Sequence, residues 1–153
     1  MQNTGFYVSK NQLVKYKYDE RNGDEKMSNK LKISAEDVEP IHLEGRDLRW
    51  IINDKTVNAQ KMSIAIMHCF PHAIVKPLHA HRDIEEVIYI IEGQGQAWVD
   101  GEIVDFKKGD AVFFPANSKH QVRNAGDEVL VTASIFSAVT NSDDYIIYDK
   151  SMF

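Results

Sequence analysis

The chain has 153 residues, 43% hydrophobic and 27% charged, which suits one globular domain and excludes both wholesale disorder and two ordinary domains. A formal net charge of -5 excludes the basic face on which nucleic-acid binding depends. The single cysteine, Cys69 in an apolar stretch, rules out an internal disulfide and a zinc site of cysteine pairs, and fits a reducing, cytoplasmic setting. No segment holds the roughly 18–20 continuous apolar residues that cross a bilayer, and the first residues carry no signal-peptide pattern. Neither a nucleic-acid nor a membrane partner is expected.

Residues 1–32 are polar and charge-mixed, without a sustained period, and read as an N-terminal arm. Phe6, Tyr7, Tyr16 and Tyr18 leave two readings of it open, a loose tail or an element packing on a partner subunit. Residues 33–153 read as a single domain. Short runs of Val, Ile, Phe, Tyr and Trp predict strands over 48–53, 61–70, 76–81, 86–91, 94–99, 111–114, 121–124 and 129–136. Gly93, Gly95, Asp100-Gly101, Gly109-Asp110 and Ala125-Gly126-Asp127 punctuate them as turns. Strands that recur about every ten residues, without helical periods between them, predict an all-β barrel or sandwich. The segment from Gly45 to Trp50 reads as a corner or as the wall of a neighbouring pocket. The segment 141–148 reads as a last strand or a docking segment.

Alternate side chains of a strand share a face, so His79-Ala80-His81 puts two imidazoles on one side, roughly 7 Å apart. Taken alone, that pair fits surface or core histidines as readily as ligands. Glu86 follows a four-residue connection and can fold back beside them. His120, after the turn-rich Pro115-Ala116-Asn117-Ser118-Lys119, can approach from another strand. Three imidazoles and a carboxylate suit one first-row divalent ion, Mn, Fe, Co, Ni, Cu or Zn, with positions left open for a ligand.

The order and spacing of these residues resemble the two short motifs of the cupin superfamily. His79-x-His81, four residues, Glu86, six residues and Gly93 resemble the first. Gly109, five residues, Pro115, then His120, three residues and Asn124 resemble the second. Two positions depart from the pattern: Ala73 stands where a glycine opens the first motif, and Asn117 where a glycine precedes the histidine of the second. Asn tolerates a left-handed backbone better than most residues, so Asn117 is expected to make the same turn. Ala73 implies a different loop ahead of the first motif.

The resemblance implies a cupin-type double-stranded β-helix, or jelly-roll, barrel. It also implies one divalent transition metal ion per chain held by His79, His81, Glu86 and His120, and a homodimer. It implies a metal-dependent enzyme acting on a small oxygenated metabolite, such as a sugar derivative, a hydroxy or keto acid or an enol, by Lewis-acid or oxygen chemistry. Dioxygenase, isomerase, decarboxylase and lyase activities all occur in the family, as does non-catalytic binding or sensing of small molecules, so the fold cannot choose among them. Apart from the resemblance, His68, Phe70, Ile88, Phe114, Arg123, Asn124 and Phe136 are candidate substrate contacts; His68 also reads as a packed histidine, Arg123 as a solvated charge and Asn124 as a turn or network residue. Glu85, next to Glu86, is expected to face solvent. No catalytic acid or base stands out.

Overall fold

The computed structural model describes residues 30–140 and 144–153, together with the backbone of two strands nearer the N-terminus, β1 (Phe6–Ser9) and β2 (Gln12–Lys15). These two pair antiparallel with each other. The remainder of the expected arm up to residue 29 lies outside the described residues.

A period of two in burial dictates the architecture from there on. In β5 (Ser63–Cys69), Ser63, Ala65, Met67 and Cys69 are buried while the residues between them are half-buried. The same alternation holds in β12 (Leu130–Phe136), where Leu130, Thr132, Ser134 and Phe136 face inward. Such strands need an apolar layer on one face only, and two sheets supply it to each other. One sheet has six strands in the order β10 (Ala111–Phe114), β7 (Glu86–Glu92), β12, β5, β4 (Arg46–Ile52) and β3 (Ile41–Leu43). The other has five, in the order β13 (Tyr145–Tyr148), β6 (Leu78–His81), β11 (His120–Asn124), β8 (Gln94–Val99) and β9 (Glu102–Lys107). Every pairing is antiparallel. Met67, Ile88, Ile90, Phe106, Phe114, Val122 and Leu130 are among the residues that form the core between the sheets. The protein is all-β, as the strand spacing predicts. One short helix, α1 (Asp54–Val57), follows β4 and is capped by the Asn53 side chain, which accepts from the Lys55 and Thr56 amides.

The predicted strands are all present, with no end moved by more than two residues. β3 and β9 are additions to this part of the chain, and β13 falls in the segment 141–148, for which a last strand is one of the two readings. β9 escapes a pattern search because Glu-Ile-Val-Asp-Phe-Lys lies at the sheet edge and buries only Phe106. The Asp100-Gly101 turn between β8 and β9 has both residues at positive φ, 45° and 110°, as a tight hairpin requires. Among the described residues, no helix is long and apolar enough to cross a membrane.

Gly95 sits where β8 is pinched between β9 and β11, opposite Phe106 and Asn124. A Cβ there would lie 2.7 Å from the Phe106 ring and would also press into the Arg123 carbonyl oxygen. Gly95→Ala is therefore expected to destabilise the fold by about 1–3 kcal/mol. The check is a lower urea midpoint at unchanged slope, and an unchanged midpoint contradicts it.

Candidate metal centre

Three elements converge at one end of the barrel. β6 carries His79 and His81 on its inner face, and β11 begins at His120, which pairs with His79 in register. Both strands belong to the five-stranded sheet, whereas Glu86 opens β7 in the six-stranded sheet. The carboxylate thus approaches the imidazoles from across the interior. The chain crosses between sheets at residues 82–85, and Glu85 is exposed there, as expected.

That crossover is fixed to the loop ahead of His120. Asn117 has φ 64°, the left-handed turn expected of it. Its side-chain oxygen accepts from the Asp83 amide at 3.2 Å, and its Nδ2 donates to the Asp83 carboxylate at 3.0 Å. Its own amide donates to the His81 carbonyl at 2.9 Å. The two motif loops hold each other. Ala73 lies in a turn where its amide donates to the Phe70 carbonyl and its carbonyl accepts from the Asn124 amide.

One ligand-capable atom from each of His79, His81, Glu86 and His120 lies within 4.8 Å of the others, and all four residues are buried. His79 Nδ1 is 2.8 Å from the Pro77 carbonyl and His120 Nδ1 is 2.9 Å from the Ser118 carbonyl. A carbonyl only accepts, so each Nδ1 carries the proton and each Nε2 keeps its lone pair, the arrangement that prepares an imidazole to bind a metal. Aromatic walls fix the rings: Phe114 stacks on His120 at 4.3 Å, Tyr145 on His79 at 5.1 Å, and Phe136 meets His81 edge-on at 5.2 Å.

The electrostatics suit a cation. Burial and the neighbouring His120 and His81 hold His79 well below the ordinary imidazole range, so it is neutral near pH 7. Burial alone would raise the Glu86 carboxyl, but hydrogen bonding and electrostatic interaction with the His120 and His81 rings beside it outweigh burial and hold Glu86 below the usual carboxylate range. His120 Nε2, 3.3 Å from Glu86 Oε2, is buried without a well-oriented hydrogen-bond partner. An orphaned ring nitrogen beside a buried carboxylate is costly in a packed core and is accounted for when a metal ion completes the cluster.

The cluster opens on a cavity of about 50 Å³, enough for a few water-sized groups. Of the expected substrate contacts, Ile88, Phe114 and Phe136 line it. His68, Phe70, Arg123 and Asn124 do not. His68 lies between the inward-facing Met67 and Cys69, so the strand period turns it outward. Phe70, just past the end of β5, is exposed. Arg123 donates to the Gln96 side-chain oxygen and lies over the Phe153 ring at 4.5 Å. Asn124 is buried but bonds backbone groups at the far end of β11.

The cavity also takes residues of two segments whose readings were open, Gly45–Trp50 as corner or pocket wall and 141–148 as strand or docking segment. Arg46 and Trp50 come from β4 and Tyr145 from β13. The signal for the first two was present in Arg46-x-Leu48-x-Trp50, whose alternation aims all three inward.

The fold and this site define a two-sheet β-barrel with a buried cluster of three histidines and a glutamate suited to a metal ion. Residues 65–136 match the family described as Cupin domain. An uncharacterized protein of Methanocaldococcus jannaschii is 30% identical over 98 residues, 63% of this chain and 78% of that one. The chain belongs to the cupin family. It is also 32% identical over 98 residues to the polyketide synthase CurC of Streptomyces cyaneus, and the match covers 63% of this chain and 62% of that protein. Among solved structures it is similar to oxalate decarboxylase of Bacillus subtilis, in a study of that enzyme's Mn(II) centers. The identity is 26% and the TM-score 0.65, over 74% of this chain and 30% of that one. The chain thus spans less than two thirds of CurC and under a third of the decarboxylase.

Proposed function

We propose that His79, His81, Glu86 and His120 ligate one divalent transition metal ion, and that the chain is a metal-dependent enzyme acting on a small oxygenated metabolite. The observation that carries this reading is the set of four buried donor atoms within 4.8 Å of one another at the end of a cavity. Similarity to an oxalate decarboxylase with Mn(II) centers makes manganese the first ion to load.

The residues divide the work. The three imidazoles and Glu86 would hold the ion beside the cavity that they line. Pro77 and Ser118, through their carbonyls, keep the His79 and His120 rings in the ligating tautomer. Leu48, Met67, Ile88 and Val122 form apolar walls that exclude bulk water and strengthen electrostatic interactions inside. When bound, a divalent ion supplies Lewis-acid stabilisation of negative charge developing on a substrate oxygen.

The test is incubation of metal-loaded protein with a panel of sugar derivatives, hydroxy acids, keto acids and enols, read by mass spectrometry. Turnover is expected, reduced on the order of 100-fold or more in His79→Ala. A compound that binds tightly and is recovered unchanged supports instead a binding or sensing cupin. That second reading draws support from the lining itself, where Glu86 is the sole carboxylate and is already committed to the ion.

A further inference from the structure

Two crossovers between the sheets meet at the metal end of the barrel. Residues 82–85 carry the chain from β6 to β7, and residues 115–119 carry it from β10 to β11. The four-ligand cluster hangs on their ends: His81 and Glu86 flank the first crossover, and His120 follows the second. Each turns through a residue at positive φ that is not glycine, Asp83 at 55° and Asn117 at 64°. Glycine takes that conformation without steric cost, so a residue with a side chain there calls for a further reason.

The side chains supply it. The Asp83 amide donates to Asn117 Oδ1 at 3.2 Å, and Asn117 Nδ2 donates to the Asp83 carboxylate at 3.0 Å. A third bond, from the Asn117 amide to the His81 carbonyl at 2.9 Å, is made by backbone alone and would survive a glycine. The first two exist only because position 117, where the motif pattern has glycine, holds an asparagine. Their place in the fold gives them leverage on the cluster. His79 and His120 are already held together by the pairing of β6 with β11. Glu86 is not held to them in this way, because β7 pairs with β10 and β12 in the other sheet. An ion enclosed by the four donors leaves only when donors separate, and parting Glu86 from the imidazoles draws one crossover away from the other.

From these contacts we infer that the Asp83–Asn117 pair is a clamp that slows release of the metal ion. Asn117 is a positioning residue that acts through both crossovers. The inference rests on the four-ligand reading of the site. Both residues are exposed, so their bonds compete with water, and together they correspond to on the order of 10-fold in the frequency of local opening.

The experiment loads the full chain with Mn(II), adds a chromogenic chelator in excess and times the transfer of the ion where the rate no longer depends on chelator concentration. Asn117→Gly suits the backbone and removes both side-chain bonds, and it is expected to release Mn(II) on the order of 10-fold faster than wild type. Asn117→Asp loses the donor and sets two carboxylates together, and should release at least as fast. The exchanged pair, Asp83→Asn/Asn117→Asp, again faces an amide with a carboxylate and should return the rate toward that of wild type. A general loss of stability would not produce that rescue. The electron paramagnetic resonance spectrum of bound Mn(II) should be the same in all four proteins, because no ligand is altered. In the metal-free chain, amide hydrogen exchange at residues 82–85 and 116–119 should be faster in Asn117→Gly.

Release from Asn117→Gly at the wild-type rate overturns the inference, as does an exchanged pair that releases no more slowly than Asn117→Asp, or hydrogen exchange in the two crossovers that Asn117→Gly leaves unchanged. Failure of the four-ligand reading looks different. The wild type would then take up no ion to release, and the inference falls with that reading, whatever the exchange at the crossovers.

Discussion

Protein purified without chelators is expected to carry about one divalent transition metal ion per chain, and the His81→Ala/His120→Ala variant none, by elemental analysis. The variant keeps only His79 and Glu86, too few donors for a stable site. A ligand that binds the folded chain alone stabilises it by about 2.7 kcal/mol at a free concentration 100 times its dissociation constant. Chelation should therefore lower the melting temperature of the wild type and leave that of the variant unchanged. The metal-free protein has its own pH signature. His79 and Glu86 both have folded-state pKa values below their ordinary ones, so between the folded and unfolded values the unfolded chain binds more protons. Their contribution to stability is complete above the ordinary imidazole range and is lost as pH falls, first through His79 and then through Glu86. Bound metal competes with the same protons and should shift the acid transition to lower pH. A wild-type chain that takes up no ion after anaerobic loading with each of Mn, Fe, Co, Ni, Cu and Zn overturns the four-ligand site.

What could be read before folding was what depends on short range. The period of two paired His79 with His81 and set Glu85 apart from Glu86, and the tolerance of Asn for positive φ anticipated the turn at Asn117. The same period, counted inward from Met67 and Cys69, would have turned His68 outward. Long-range register was not readable: nothing local shows that His120 lies opposite His79 or that Tyr145 lies opposite His81. Arg46 was open for a different reason: the segment from Gly45 to Trp50 reads equally as a corner or as a pocket wall, and only the two-sheet packing reveals that this face of β4 is the inside.

Asn124, which reads in the sequence as a turn or network residue or as a substrate contact, makes a network of backbone hydrogen bonds in the structure, and its replacement should have the largest effect on stability outside the metal centre. Its Nδ2 lies 3.0 Å from the Cys69 carbonyl, 3.1 Å from that of Phe70 and 2.7 Å from that of Glu128. Its Oδ1 accepts from the Gly126 amide at 2.9 Å. The side chain is almost wholly buried and closes the end of β5 against the loop after β11. Two amide hydrogens serve three carbonyls there. Asn124→Ala leaves those acceptors short of a donor and is expected to cost about 2–4 kcal/mol, read from urea unfolding. Asn124→Asp keeps the shape but turns an acceptor toward those carbonyls, so at pH 7 it should cost more than Asn124→Ala. An aspartate in that setting has its folded-state pKa raised, so its excess penalty over Asn124→Ala should grow as pH rises through the carboxylate range and shrink toward acid. Both variants should retain their metal and their affinity for compounds of the metabolite panel, because the side chain lies at the far end of β11 from His120. Loss of ligand affinity at unchanged stability would return Asn124 to the binding site, and loss of stability at unchanged affinity assigns it to the barrel.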